Sequence, residues 1–213
     1  MLAFGLRCLL AYLLGSLLGS LIVGKLYGGV DIRTQGSGNA GGTNALRTQG
    51  KVFALGVMVI DVGKGVLAAL AVPHMPLPVP GGEALASGWT VAACGALAVV
   101  GHVYPLFFGF RGGKGAATYL GVLAAYVPLA LLPGLVVFAL ILMLTGYVGL
   151  STVLSVWSVA LFLLLRCGLD SPQFAFGLAM ALFILYTHRS NIQRLRTGTE
   201  NQFKRAMLLR KRG

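Results

Sequence analysis

Between Ala116 and Leu165 the chain runs for fifty residues without one charged side chain. A water-soluble domain must turn polar groups outward from every helix and strand, so a run of this length has no place in one. It reads instead as membrane-crossing helix, for which roughly 20 residues suffice per crossing. Further apolar segments fall at about 3–24, 52–72, 88–106 and 172–187. The polar stretches are 25–51, 73–87, 107–115, 166–171 and the tail from 188. With 57% hydrophobic and only 10% charged residues, the expected fold is an all-α, polytopic integral membrane protein. The first apolar segment flows into its polar loop without a small-residue cleavage site, so it is expected to be a retained span.

The net charge of +12 would suggest nucleic acid in a soluble chain, but here the basic residues are dispersed among loops between apolar spans. No nucleic-acid partner is expected. Lys25, Arg33, Arg47 and Lys51 lie in the first polar stretch, Arg111 and Lys114 in the third, and eight more in the tail, whereas 73–87 has none. The positive-inside rule places the first, third and last stretches in the cytoplasm. Parity then requires one or three crossings from the run 116–165, and its length favours three. Breaks are available at VPLALLPG and TGYVGLS; they leave a middle piece, 134–145, that must extend into them or be partly re-entrant. The sum is about seven spans, amino terminus outside and carboxyl terminus cytoplasmic, in a single domain 1–213. Cys8, Cys94 and Cys167 are isolated and odd in number, which reads as packing.

Three basic stretches on the cytoplasmic side carry chemistry. In RTQGSGNAGGTN (33–44), glycines such as Gly36 and Gly38 permit positive φ, so that backbone N–H groups converge on an anion. Ser37, Asn39, Thr43 and Asn44 add donors, and the flanking Arg33 and Arg47 suit bidentate phosphate binding. It is no Walker A loop, because the Gly-Lys-Ser/Thr ending is missing. The second stretch, GHVYPLFFGFRGGKGAAT (101–118), sets Gly112, Gly113 and Lys114 before an apolar segment, with His102 near the inner end of the preceding span. The third, THRSNIQRLRTGTENQF (187–203), holds His188, Asn191, Arg194 and Glu200; basic residues for lipid headgroups alone would not call for the histidine, amide and acid. The terminal Arg210-Lys211-Arg212 is assigned to lipid contact. Within the second span Asp61 and Lys64 are three apart, able to pair, and equally readable as a structural pair or as a cavity-lining lysine.

Together these stretches are similar to those of the bacterial membrane acyl-phosphate:glycerol-3-phosphate acyltransferases, the PlsY family; the likeness runs from the first span to Glu200. Departures from the family's usual residues occur at Ala40, Gly42 and Ala116 and concern the stiffness of the loop, not its chemistry. The resemblance implies acyl transfer from acyl phosphate to the 1-hydroxyl of glycerol 3-phosphate, giving lysophosphatidic acid and phosphate at the bacterial inner membrane. It also implies membrane lipids and, transiently, the soluble enzyme producing acyl phosphate as partners. Ser37, Asn39, Arg47 and His188 are the expected catalytic residues. Substrate binding is expected of Arg33, Gly36, Gly38, Thr43, Asn44, Lys64, His102, Gly112, Gly113, Lys114, Asn191 and Glu200. Asp31, Asp61 and Asp170 are too scattered for a Ser-His-Asp set or a metal cage, so direct attack by the glycerol hydroxyl without cofactor or metal is expected. His188, His102 or a substrate phosphate oxygen could take its proton. A transporter would show internal repeats and midplane helix breaks, and a lipid-binding scaffold would not need the Gly-Ser-Gly-Asn loop.

Overall fold

The computed structural model describes residues 1–80 and 87–208. The loop position Gly82 and the Arg210-Lys211-Arg212 cluster lie outside the described residues. Every regular element among the described residues is helical. The chain forms two compact units, Met1–Val127 and Pro128–Gly213. Among the described residues, four helices are long and apolar enough to cross a membrane, or five if one bent pair counts as a single span. Ala116–Tyr126 and Pro172–Thr187 are shorter apolar helices.

The first unit contains α1 (Leu2–Gly15), α2 (Gly19–Leu26), α3 (Gly42–Thr48), α4 (Lys51–Leu70), α5 (Gly88–Val103) and α6 (Ala116–Tyr126). Its seams are built on glycine. A Cβ on Gly15 would overlap the Ala98 backbone, and one on Gly101 would overlap that of Tyr12, so α1 and α5 meet backbone to backbone. Gly65 and Gly121 do the same for α4 and α6, against Thr118 and Val62. In a membrane no hydrophobic driving force separates helix from lipid, and such close approach supplies the packing that replaces it.

The apolar segment 3–24 is not one helix. α1 and α2 are bent by 44° across Ser16–Leu18. The backbone groups freed there are recovered inside the unit: Lys64 Nζ donates to the Leu17 carbonyl at 2.6 Å, and the Gly19 N–H donates to Asp61 Oδ1 at 3.1 Å. The bend carries the chain into the polar stretch 27–50. At the opposite end of the unit, Arg7 donates to the Met75 carbonyl and the Tyr126 hydroxyl to that of Gly88.

The second unit contains α7 (Leu131–Thr145), α8 (Val148–Cys167), α9 (Pro172–Thr187) and α10 (Arg189–Arg196). The helical break falls at Val127–Pro128, ahead of Pro133, which sits in the first turn of α7. Proline is tolerated there because its missing N–H would have had no intrahelical partner. The piece 134–145 therefore extends backward, and with the turn at Pro128–Ala130 makes an 18-residue apolar segment. Gly146, at φ +72°, ends α7 in a left-handed conformation that favours glycine. Ser171 caps α9 by accepting from the Phe174 N–H, with Pro172 in the first helical position. Beyond α10 the tail returns to the α7–α8 turn, where the Phe203 N–H donates to the Gly146 carbonyl at 2.7 Å and the Leu208 N–H to that of Met143 at 3.1 Å.

Candidate active site

In the first unit the glycine-rich loop is organised by Asn44. Its side-chain oxygen accepts from the Ser37 N–H at 2.9 Å, and its amide nitrogen lies within 3.0 Å of the carbonyls of Ile32, Gln35 and Asn39. Gly36 and Gly38 have φ +57° and +71°, and a Cβ on Gly36 would strike the Asn44 amide. Asn39 in turn accepts from the Gly41 N–H at 2.8 Å. The loop is thus held from within by two amides, and Ser37 and Thr43 are exposed on it. Arg47, on α3 behind the loop, is also exposed, and no hydrogen bond or ion pair engages its guanidinium among the described residues.

Arg33 is placed differently. Its Nε and Nη2 bind the Asp31 carboxylate, at 3.0 and 2.8 Å, and its Nη1 lies 3.1 and 3.0 Å from the carbonyls of Phe108 and Arg111. With those groups occupied, Arg33 ties the first basic stretch to the second. The Arg33 hydrogen bonds hold the Asp31 carboxyl below its ordinary range. Asp31, two residues before the loop, enters the sequence analysis only as an acid too scattered for a triad or a metal cage; its spacing from Arg33 was the signal for this clamp.

The second stretch folds back on α5. The Gly112 N–H donates to the Val103 carbonyl and the Gly113 N–H to that of His102, each at 3.1 Å. A Cβ on Gly113 would overlap the His102 imidazole at Nε2, and one on Gly112 the His102 carbonyl. Both glycines are thus required by close approach to α5, and half-buried Lys114 follows them directly. Lys64 and His102 are 3% and 2% exposed. Lys64 Nζ is 2.9 Å from both Asp61 Oδ1 and His102 Nδ1. The pairing of Asp61 with Lys64 is therefore present, and His102 joins it.

In the second unit His188 links α9 to α10 and is 5% exposed. Its Nδ1 is 2.8 Å from the Ile184 carbonyl, which can only accept, so Nδ1 carries a proton and donates it there. Asn191 donates to Glu200 Oε1 at 2.6 Å, and Arg194 Nε donates to Glu200 Oε2 at 2.6 Å. Glu200, expected to bind substrate, engages its carboxylate with these two side chains and orients them. Gly149 was missed by the sequence reading; a Cβ there would lie 2.7 Å from the Asn191 amide nitrogen, so the α8 backbone makes room for that side chain.

The chain matches the family profile described as Glycerol-3-phosphate acyltransferase over residues 5–198. The glycerol-3-phosphate acyltransferase of Halalkalibacterium halodurans is 42% identical, covering 92% of this chain and 93% of its own. That of Clostridioides difficile is 42% identical over 90% of this chain and 91% of its own. The crystal structure of PlsY (YgiH), an integral membrane glycerol 3-phosphate acyltransferase in its glycerol 3-phosphate form, is 35% identical with a TM-score of 0.80, covering 94% of this chain and 95% of that one. Its lysophosphatidic acid form gives 0.79. A profile match and relatives of this extent assign the chain: it belongs to the PlsY family of integral membrane glycerol-3-phosphate acyltransferases.

Proposed function

We propose that the chain transfers a fatty acyl group from acyl phosphate to the 1-hydroxyl of glycerol 3-phosphate. The carbonyl–oxygen bond of the mixed anhydride breaks, an ester forms, and phosphate leaves. The observation that carries this reading is the exposed Ser37, on a loop whose own amides already hold it in shape, together with the exposed Arg47 on the adjoining α3, which leaves hydroxyl and guanidinium for a phosphate ligand. The relatives solved in glycerol 3-phosphate and lysophosphatidic acid forms support the same acceptor and product. Ser37, Asn39 and Arg47 serve the acyl phosphate, with Gly36, Gly38, Thr43 and Asn44 shaping the loop, while Lys114, His188 and Asn191 serve glycerol 3-phosphate. Gly112 and Gly113 set Lys114, Glu200 orients Asn191, and Arg33 fastens the two stretches of the first unit.

The hydroxyl proton has two destinations on this proposal, His188 Nε2 or an oxygen of the departing phosphate. The His188 imidazole is held at Nδ1 by a backbone carbonyl at 2.8 Å, a neutral partner that stabilises an imidazolium less than a carboxylate would. That favours the substrate phosphate as acceptor, with His188 binding. His102 is less suited to the role, because its Nδ1 lies 2.9 Å from Lys64 Nζ.

The topology that accompanies this function has about seven crossings, amino terminus outside and carboxyl terminus cytoplasmic, in the bacterial inner membrane, with both units serving one acyltransferase. Two contacts support it. Arg33 joins the first and second basic stretches, and the basic tail bonds to the α7–α8 turn, so stretches read as cytoplasmic share an end within each unit. Membrane lipids surround the chain, and the soluble producer of acyl phosphate is its transient partner.

Purified protein incubated with palmitoyl phosphate and glycerol 3-phosphate is expected to form lysophosphatidic acid and phosphate one for one. A comparable rate with an acyl coenzyme A thioester would overturn the choice of donor. Absence of product with either donor would overturn the activity.

A further inference from the structure

Buried in the first unit, Asp61 and Lys64 of α4 meet His102 at the carboxyl-terminal end of α5. The Lys64 ammonium has three hydrogens, and three acceptors surround it: the Leu17 carbonyl at 2.6 Å, Asp61 Oδ1 at 2.9 Å and His102 Nδ1 at 2.9 Å. With Lys64 as an ammonium, which has no lone pair, His102 Nδ1 accepts from it and the ring carries its proton on Nε2; Nδ1 also lies 3.4 Å from Asp61 Oδ1. Nε2 faces Gly113. Asp61 Oδ1 also accepts from the Gly19 N–H at 3.1 Å. The cluster therefore supplies a cation to the carbonyl end of α1 and an anion to the amide end of α2, each with the sign that a helix terminus favours. Through His102 it supports the backbone of the stretch that presents Lys114.

We infer that Asp61, Lys64 and His102 form a buried positioning unit that holds the α1–α2 bend and the Gly112–Lys114 stretch in register, and acts on the reaction through those segments without touching substrate. The inference rests on the proposed function for the role of Lys114 and the glycine-rich loop, but its geometry stands on the first unit alone. A lone buried ion pair would give no reason for the bend or for the histidine. Here both freed backbone groups and the imidazole are explained by one cluster. Lys64 has its donors occupied inside the protein, so a phosphate could recruit it only by breaking the bend.

Variants at residues 61 and 64 separate positioning from substrate contact. Lys64→Gln leaves the Asp61 carboxylate buried without its cation, and kcat is expected to fall roughly 100-fold. In the pair Asp61→Asn with Lys64→Gln, an amide oxygen still meets the Gly19 N–H and an amide nitrogen still reaches toward Leu17. This neutral pair is expected to recover at least about 10-fold of the loss. Trypsin cleavage at Arg33 and Arg47 in detergent supplies a readout independent of activity: roughly 10-fold faster in Lys64→Gln and close to wild type in the pair. If the pair is as inactive as the single variant, with KM for a phosphate substrate raised and trypsin sensitivity unchanged, Lys64 contacts substrate and the inference is overturned. Unchanged activity and proteolysis in both would overturn it too. Should Lys64→Gln fail to insert, Asp61→Asn and the pair carry the same comparison. If the wild-type chain makes no lysophosphatidic acid, the proposed function fails, while the trypsin comparison still decides the positioning unit.

Discussion

At the scale of single residues, side chains that look alike in sequence are engaged to different extents. Asn39 and Asn44 both stand in the glycine-rich loop, yet Asn44 is 2% exposed with its amide saturated by four backbone groups. Asn44→Ala should therefore reduce kcat/KM by roughly 100-fold or more, since each buried polar group left unpaired costs about 1–3 kcal/mol. Full activity in membranes at limiting substrate would show that the loop does not need this scaffold. Ser37→Ala should remove one charge-assisted donor, about 1–3 kcal/mol, without changing inserted yield. His188→Gln tests the proton's destination: a loss of roughly 100-fold in kcat with KM unchanged would make the imidazole the base, whereas the expected outcome is a milder loss with raised KM. Asp31 gives a pH prediction. Its folded pKa is lowered by Arg33, so the clamp is fully formed above the ordinary aspartate value near ~3.9 and fails only as pH falls through the lower folded value. Asp31→Asn should then lower activity by a constant factor from pH 5 to pH 8, and a change confined to the acidic part of that range would contradict it.

At the scale of elements, the glycines sort into those the packing needs and those it does not. A Cβ on Gly65 or Gly121 would overlap backbone across the α4–α6 seam, whereas Gly5 and Gly63 have no heavy atom within 4 Å of that position. Gly65→Ala and Gly121→Ala should each cost about 1–3 kcal/mol through overpacking, seen as lower folded yield and thermal midpoint in detergent, while Gly5→Ala and Gly63→Ala should be close to neutral. Composition could reveal that helices were present, because apolar runs and the absence of charge are properties of one segment. It could not reveal the bend at Ser16–Leu18, whose partners Asp61 and Lys64 lie on another helix. The break expected within VPLALLPG falls at its Val127–Pro128 end, and sequence alone did not say which proline marks it: Pro133 is a breaker in mid-helix but a permitted residue in a first turn.

At the scale of the whole molecule, the alternation of apolar helices with polar, glycine-rich stretches was legible because basic loops, glycine and amides have a composition that apolar spans lack. What was not legible was which polar residue faces inward. Arg33 and Glu200 were both read as meeting substrate, yet Arg33 binds Asp31 and two carbonyls, and Glu200 binds Asn191 and Arg194. Reporters placed in 107–115 and after the carboxyl terminus should both report cytoplasm, and one near Gly82 the outside; an external signal at Lys114 would overturn the proposed orientation. The shortness of α6 has a consequence for the lipid. Its 11 residues rise about 16 Å, roughly half of a bilayer's hydrocarbon thickness, and its far end is tied to the start of α5 by the Tyr126–Gly88 hydrogen bond. If α6 meets the outer boundary, the glycines preceding it lie below the plane of the inner headgroups, and the leaflet must thin or admit water to reach them. A water-soluble acceptor and an acyl chain dissolved in lipid would then meet at a dimple in the membrane, and bilayer thickness becomes a variable of catalysis. Reconstitution into thin, short-chain phosphatidylcholine should give turnover about 3-fold or more above that in thick, long-chain bilayers, whereas a rate indifferent to thickness would mean that the membrane does not deform around α6.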